Sequence, residues 1–259
     1  MNQSDPNMTS SSPMSRLYWS TIDKIRSQMT IADEILPYLS VSAICTTIGL
    51  FLCGIQICLR IRERGTTEGT GSAPFLIAFI SCAFWLQYGV LKHDNVVIFV
   101  NIVGFMLQGC YLSYYFFMTR NTRLLRKVIG LEFIAIGLML YAVNYGGFKD
   151  NGRETLGAIC VILNIASIGA PLFQIGEVIR TKNSESLPLP LCLACFAVSL
   201  QWLLYGLLVH DIVIQVPNYI ATLLSVIQLS LFVIYPRRPT FIEMEDPLYT
   251  VNKRINHDM

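Results

Sequence analysis

The chain has 259 residues, of which 53% are apolar and only 14% are charged, and its mean hydropathy is +0.52. Soluble domains usually carry about 25% charged residues, so this composition excludes an ordinary soluble protein and predicts a membrane protein. The formal net charge of +2 is close to neutral and gives no support to nucleic acid as a partner.

The first part of the chain, residues 1–34, is polar and rich in Ser, Met and Asn. We predict that it forms a loosely ordered extracellular or luminal tail. It carries N-glycosylation sequons at Asn2 and Asn7, which are used only on the luminal or extracellular side of a membrane. No basic segment precedes an early apolar core, so we expect no signal peptide.

Seven apolar segments follow this tail, and most of them reach the roughly 20 residues that cross a bilayer as a helix. β-Barrel strands would be about half as long and would alternate in polarity. The pattern therefore predicts an all-α membrane protein with seven transmembrane helices. The segments are Leu36–Leu59, Ala73–Leu91, Val96–Met118, Val128–Val143, Leu156–Ile175, Leu187–Val209 and Ile212–Tyr235.

The connections between these segments differ in charge. Basic residues concentrate in the first, third and fifth connections and after the last segment: Arg60, Arg62, Arg64, Arg120, Arg123, Arg126, Lys127, Arg180, Lys182, Arg237 and Arg238. Because basic connections stay in the cytoplasm, we expect the N-terminus outside and the C-terminus in the cytosol.

One stretch of the chain occurs twice. Residues 85–101 read WLQYGVLKHDNVVIFVN and residues 202–218 read WLLYGLLVHDIVIQVPN, so one offset of 117 positions aligns them without a gap. This internal duplication overlays segments one to three on segments five to seven and leaves the fourth unmatched. Two copies separated by one extra segment have the same orientation, so they are parallel repeats related by an axis along the membrane normal.

The duplication predicts a 3+1+3 architecture, with two parallel three-helix repeats joined by an inversion linker helix. We expect the first repeat over residues 35–119, the linker over 120–150, the second repeat over 151–236, and a disordered cytosolic tail over 237–259.

Few groups in the apolar segments can carry chemistry. All eight cysteines lie in these segments and are interpreted as small buried hydrophobic residues. Apart from Glu132 in the fourth segment and Glu177 just beyond the fifth, the segments lack charged side chains. Ion-coupled carriers normally need an intramembrane carboxylate, and no Walker A loop or acid–base dyad is found. We expect neither an enzyme nor a pump, and no cofactor or metal.

The motifs resemble those of the SWEET (nodulin/saliva-type) family of sugar transporters, in its animal form. The first copy holds W-x-x-Y-G with a downstream Asp and V-N, and the second holds A-P-L, R-T-K-N-S-E-S, W-x-x-Y-G, Asp and P-N. The resemblance covers residues 36–236. It implies a facilitative, bidirectional uniporter that works by alternating access in the plasma membrane, or in the Golgi or another secretory membrane. It also implies homo-oligomers.

Asn101 and Asn218 are the first pair of predicted site residues. A carboxamide at membrane depth costs several kcal/mol if it is unpaired, so it either bonds another helix or lines a wet cavity. It offers donors and an acceptor without charge, which suits sugar hydroxyls. The resemblance implies that both asparagines contact the sugar.

Trp85 and Trp202 form the second pair. An indole face packs well against the C–H face of a pyranose, although lipid-facing or core packing is the alternative. Two indoles predict a narrow pocket that favours a glucose-like monosaccharide over a disaccharide. Leu50 and Ser167 are related by the same offset and are predicted to complete the pocket.

Helix-bending residues form the third group. Pro74, Pro171, Pro188 and Pro190 lie in or near the cytosolic halves of predicted helices, where proline kinks allow a helix end to swing. Gly54 is the offset partner of Pro171, and the resemblance implies a proline at this position. We predict that these five residues form hinges or an inner gate, with general tolerance of proline in membrane helices as the alternative.

Polar pairs at the predicted outer side form the fourth group. Asp94 and Asp211 precede helices, where a carboxylate caps free N–H groups. The alternative is an outer gate in which Tyr88 or Tyr205 bonds one of these carboxylates across the repeat axis.

Two other classes of protein fit the segment count. A seven-helix receptor has the same orientation but would not be duplicated. A PQ-loop amino-acid carrier would need an intramembrane charge and a Pro-Gln dipeptide, whereas Pro171 is followed by Leu.

Overall fold

The computed structural model describes residues 13–145, 152–167, 169–185 and 187–235, and every regular element within these ranges is a helix. The helices are α1 (Pro13–Arg64), α2 (Ala73–Lys92), α3 (Asn95–Met118), α4 (Arg123–Asn144), α5 (Gly152–Ser167), α6 (Gly169–Thr181), α7 (Leu189–Leu208) and α8 (Ile212–Ile234). Residue 168, which separates α5 from α6, lies outside the described ranges. Each of the seven predicted segments is therefore helical.

The helices have the length and surface of membrane spans. Six stretches of described helix are long and apolar enough to cross a bilayer: Ala32–Arg64, Ala73–Lys92, Asn95–Met118, Gly152–Thr181, Leu189–Leu208 and Ile212–Ile234. The linker α4 is not among them, since its first turns are basic and it contains Glu132. Large apolar side chains face outward, including Phe117 and Val233, which are 83% and 88% exposed. Such a surface is suited to lipid and not to water.

The beginning of the chain differs from the prediction. Residues 13–34, predicted to be loosely ordered, are the first part of α1. Pro13 stands at the first helical position, where its missing N–H costs nothing, and no Gly or further Pro follows before Pro37. α1 continues across Pro37, which lies inside the helix and lacks a backbone N–H. Between Pro13 and Pro37 the sequence propagates a helix at little cost. Asn2 and Asn7, and the predicted C-terminal tail over 237–259, lie outside the described residues.

The duplicated helices form two bundles. In the first repeat α3 packs against α1 and α2, and in the second α8 packs against α5, α6 and α7. The repeats meet along two lines, α1 against α7 and α2 against α5, which we name the α1–α7 seam and the α2–α5 seam. The offset of 117 relates α1 to α5 and α6, and α7 to α2, so each seam is the duplicate of the other.

The two ends of the assembly are distinct. The α2–α3 and α7–α8 connections lie at one end, which we name the hairpin end, and the α1–α2 and α6–α7 connections lie at the opposite, basic end. The linker α4 packs against α2 of the first repeat and α5 of the second.

The prolines stand at helix starts more often than inside helices. Pro74 and Pro190 each occupy the second position of their helix, α2 and α7, and Pro188 is the N-cap residue of α7. In the first turn proline costs no hydrogen bond, so these residues end the preceding connection without kinking the helix. Pro171 is the third residue of α6. Pro190 thus shares the helix position of Pro74, although the offset of 117 pairs Pro74 with Leu191.

Gly54 lies where α1 approaches α3. The helix α1 continues without a break through this position, and a Cβ atom added there would lie 2.5 Å from a ring carbon of Tyr111. This contact explains the glycine by close packing, and its role as a hinge stays a prediction.

Gly54→Ala is therefore expected to destabilise the protein. The added methyl would displace the Tyr111 ring, and overpacking of this kind costs roughly 1–3 kcal/mol. The measurement is the thermal unfolding midpoint of the purified protein in detergent. Gly49→Ala, on the same helix with nothing within 4 Å of its added Cβ, is the control and should not lower the midpoint. An equal decrease in both variants would contradict the packing explanation.

Candidate functional site

Both connections at the hairpin end have the same geometry. His93 and His210 adopt left-handed backbone conformations, with φ of 54° and 52°, and each ends the turn before a helix. Asp94 then caps α3 by accepting hydrogen bonds from the backbone N–H groups of Val96 and Val97 at 3.0 and 3.1 Å. Asp211 caps α8 in the same way. The predicted capping role of both aspartates is present in the structure.

The same two aspartates also join the repeats. The hydroxyl of Tyr88 on α2 donates to both carboxylate oxygens of Asp211 at 2.9 Å. The hydroxyl of Tyr205 on α7 donates reciprocally to both oxygens of Asp94, at 2.9 and 2.8 Å. These are the crossed pairs named as a candidate outer gate, and they join the two repeats at the hairpin end.

One of the two crossed pairs has an additional charge. The Nζ atom of Lys92 lies 3.1 Å from Oδ2 of Asp211, whose side chain is only 6% exposed. The offset partner of Lys92 is Val209, and among the described residues Asp94 forms no ion pair. The Tyr88–Asp211 pair is thus reinforced by a lysine, whereas the Tyr205–Asp94 pair is not.

The two tryptophans lie one turn further into the bundle than the tyrosines. Trp85 packs edge-on against Tyr88 with ring centroids 5.6 Å apart, and Trp202 packs against Tyr205 at 5.4 Å. Both belong to one apolar cluster that contains residues of both repeats. They differ in hydrogen bonding, since the Trp202 indole N–H donates to Thr47 Oγ1 at 2.9 Å, whereas Trp85 makes no hydrogen bond within the described structure.

The two asparagines follow in the third helix of each repeat. Asn101 and Asn218 are half-buried, and each Nδ2 donates to the backbone carbonyl four residues earlier, at 2.8 Å. The acceptors belong to Val97 and Ile214, two buried members of the cluster shared by both repeats. Each amide keeps its carbonyl oxygen and one N–H without a partner among the described residues. Neither forms the interhelical bond that was the alternative interpretation.

Leu50 and Ser167 were predicted to complete the pocket, but Ser167 makes no hydrogen bond to the tryptophans or asparagines among the described residues. Leu50 is half-buried, and the exposed Ser167 donates its hydroxyl to the backbone carbonyl of Asn164 at 2.6 Å. On α1, Thr47, one turn before Leu50, accepts the hydrogen bond from the Trp202 indole. The predicted pocket role of Leu50 and Ser167 stays a prediction.

Thr47 and its offset partner Asn164 were not identified from the sequence. Both are polar residues at the middle of an apolar helix, and the duplication aligns them. This alignment is the feature of the sequence that could have identified them. A threonine in a membrane helix bonds its own backbone readily, as Thr47 also does with Ala43 at 2.7 Å, so its polarity alone did not indicate a contact.

The geometry can bind a neutral polyhydroxyl compound. Two aromatic rings lie in the apolar cluster that the two repeats share. Two carboxamides, each with polar atoms left free, bond the backbone of buried members of that cluster. Such groups recognise hydroxyl-rich and C–H surfaces, and within the described residues no His, Cys, Asp and Glu side chains group to hold a metal.

Comparison with protein families identifies both repeats. A family model described as "Sugar efflux transporter for intercellular exchange" matches the chain twice, over residues 37–123 and 154–240. The two matches begin 117 residues apart, which is the offset of the internal duplication.

Individual relatives give the same result. The chain is 40% identical to "Sugar transporter SWEET1" of Drosophila pseudoobscura pseudoobscura, over 77% of this chain and 89% of that protein. It is 42% identical to "Sugar transporter SWEET1" of Caenorhabditis elegans, over 80% and 68% of the two chains. It is 30% identical to "Bidirectional sugar transporter SWEET10" of Arabidopsis thaliana, over 77% and 71%.

A solved structure shares the fold. A eukaryotic SWEET transporter determined at 3.7 Å superposes with a TM-score of 0.72 at 28% identity, covering 79% of this chain and 98% of the other. The predicted all-α architecture, with two parallel triple-helix repeats and a linker, is confirmed.

Proposed function

The chain belongs to the MtN3/SWEET family of sugar transporters, and from this premise we propose that it is a facilitative, bidirectional sugar uniporter that works by alternating access. Members of this family are multi-pass membrane proteins and not enzymes, and the sugar is the substrate. We assign the pocket to Asn101, Asn218, Trp85 and Trp202. The preferred substrate is a glucose-like monosaccharide, because an indole at both equivalent positions favours a pocket too narrow for a disaccharide.

One observation carries this proposal. The two carboxamides lie at equivalent positions of the two repeats, and both keep an unpaired carbonyl oxygen and an unpaired N–H at membrane depth. An unpaired amide in an apolar bundle is costly, so its retention at both duplicated positions favours a polar ligand between the repeats. The Trp85 and Trp202 rings in the adjoining cluster supply an apolar face for the same ligand.

The absence of charge along the pathway supports uniport. Among the described residues, the spans of both repeats carry ionisable carboxylates and amines only near their ends. Glu132 is buried, but it lies on α4, which belongs to neither repeat. Asp94 and Asp211 lie at the hairpin end, where tyrosines bond them. The proposed pocket itself therefore contains no carboxylate that could exchange a proton during transport.

We also propose an orientation in the membrane and a cellular location. The basic end, which carries Arg60, Arg62 and Arg64, faces the cytosol, and the hairpin end faces outward. The plasma membrane is the preferred location, and a Golgi or other secretory membrane is the alternative. Assembly into homo-oligomers is inferred from the family.

Uptake in a transport-deficient cell tests the mechanism. Labelled glucose and labelled sucrose are supplied separately, with and without a proton uncoupler. We expect saturable glucose uptake that exceeds sucrose uptake and changes less than twofold with the uncoupler, because the sugar moves down its own gradient. A collapse of uptake in the uncoupler would disprove uniport, and preference for sucrose would disprove the narrow pocket.

A further inference from the structure

The two seams between the repeats differ in chemistry although the duplication relates them residue by residue. Side-chain hydrogen bonds fasten the α1–α7 seam. Gln201 accepts a bond from Thr46 Oγ1 at 2.5 Å and donates one to Ser42 Oγ at 2.6 Å. The adjacent Trp202 donates to Thr47 at 2.9 Å. We name the first two bonds the Gln201 clasp.

The α2–α5 seam has no equivalent of this clasp. The offset partners of Ser42, Thr46 and Gln201 are all apolar: Ile159, Leu163 and Phe84. Phe84 is buried beside Leu156 and Cys160, which are 2% and 0% exposed. A Cβ atom added at Gly157 of α5 would lie 3.2 Å from the Tyr88 ring on α2, so the two helices are in close contact here.

The linker helix covers only one of the seams. α4 packs against both α2 and α5, and its Met139 is buried in the same cluster as Phe84 and Leu156. In the described part of the chain, no third helix packs to a comparable extent against both α1 and α7. The α2–α5 seam is therefore apolar and bridged, whereas the α1–α7 seam is polar and unbridged.

From this difference between the seams we propose that α1 and α7 separate when the hairpin end opens. Gln201 is the positioning residue that holds these two helices together in the closed state. The α2–α5 seam, held by α4, stays packed as the pivot. The inference rests on the proposed alternating-access transport.

Solvation explains which seam opens. When the hairpin end opens, water enters between the repeats. Water replaces the hydrogen bonds of Ser42, Thr46 and Gln201 at small net cost. Exposure of Phe84 or Leu156 carries a free-energy cost in proportion to its apolar area. In the closed, dry state the clasp holds, because no water is present to bond the Gln201 amide in place of Ser42 and Thr46.

Cross-linking of matched cysteine pairs tests which seam moves. Thr46→Cys with Gln201→Cys spans the α1–α7 seam. The offset partners Leu163→Cys with Phe84→Cys span the α2–α5 seam, where both residues belong to the shared apolar cluster. Each pair is linked in intact cells with a bifunctional methanethiosulfonate, and glucose uptake is measured before linking, after linking and after reduction. We expect the α1–α7 link to reduce uptake at least tenfold and reversibly, and the α2–α5 link to change it less than twofold.

The controls separate this inference from the proposed function. The unmodified chain, treated with the same reagent, reports any effect through its eight native cysteines. If the untreated chain takes up no sugar, the proposed function is wrong. If it transports sugar but both links inhibit equally, or the α2–α5 link inhibits more, the seam inference is wrong.

Transport kinetics test the Gln201 clasp without cross-linking. This test can be used even if a double-cysteine variant is inactive. Gln201→Leu removes both clasp bonds and should populate the state open at the hairpin end, which lowers KM for external glucose by about threefold for each interhelical bond lost. Ser42→Ala with Thr46→Val should reproduce the change, and adding Gln201→Leu should not increase it. The control Gln228→Leu removes the Gln228–Gln174 bond within one repeat and should leave KM unchanged. An unchanged or raised KM in Gln201→Leu would overturn the proposed role of the Gln201 clasp.

Discussion

Asn101→Ala and Asn218→Ala are each expected to reduce glucose uptake about tenfold or more, since each deletes a carboxamide with one donor and one acceptor left for the substrate. Two hydrogen bonds to a bound sugar contribute roughly 1–3 kcal/mol together, and about 1.4 kcal/mol corresponds to a factor of ten. The measurement is initial uptake rate per transporter at the cell surface, with surface amounts determined by biotinylation.

Asn144→Ala is the matched control for both asparagine variants. The Asn144 side chain makes the same bond to the backbone four residues earlier, at 2.8 Å, but it is exposed at the end of α4. Its replacement should leave uptake unchanged. Uptake that survives in Asn101→Ala and Asn218→Ala at normal surface amounts would refute the pocket.

Tyr205→Phe is expected to have the second large effect, a decrease in the maximal uptake rate of about tenfold or more. The hydroxyl of Tyr205 is the side-chain donor that ties Asp94 to the opposite repeat, and a hydrogen bond to a charged group contributes roughly 1.5–3 kcal/mol. Without it the hairpin end closes poorly, and the transporter stays in the state open at that end. Maximal rate and KM are measured with labelled glucose.

Tyr88 is the offset partner of Tyr205, so the uptake of the two Tyr→Phe variants can be compared. Tyr88→Phe should have a smaller effect, because Lys92 still pairs with Asp211 across the repeats at 3.1 Å. Tyr88→Phe combined with Lys92→Met should then match Tyr205→Phe. Tyr219→Phe, at a 61% exposed position of α8, is the control. If Tyr88→Phe alone reduces uptake as strongly as Tyr205→Phe, the lysine does not reinforce this end.

Local sequence was sufficient for most of the architecture. Long apolar runs predict spanning helices because each backbone group in lipid must find its partner within the helix. The extension of α1 to Pro13 was not predicted, because composition indicated disorder while helix propagation from an existing span depends on cooperativity. The packing of Gly54 against Tyr111 was also not predicted, since the sequence does not show which distant side chain packs against a glycine in a helix.

By itself the sequence determined the seven helices, their duplication, and the residues that the duplication marks, Asn101 with Asn218 and Trp85 with Trp202. These are properties of apolar length and of a repeated string, and they need no knowledge of packing. Only the tertiary structure decided which side chains of the described residues bond across the repeats: Thr47 with Trp202, Lys92 with Asp211, and Gln201 with Ser42 and Thr46. The reason is that contacts between distant helices depend on their rotation and register, which are set when whole faces pack together.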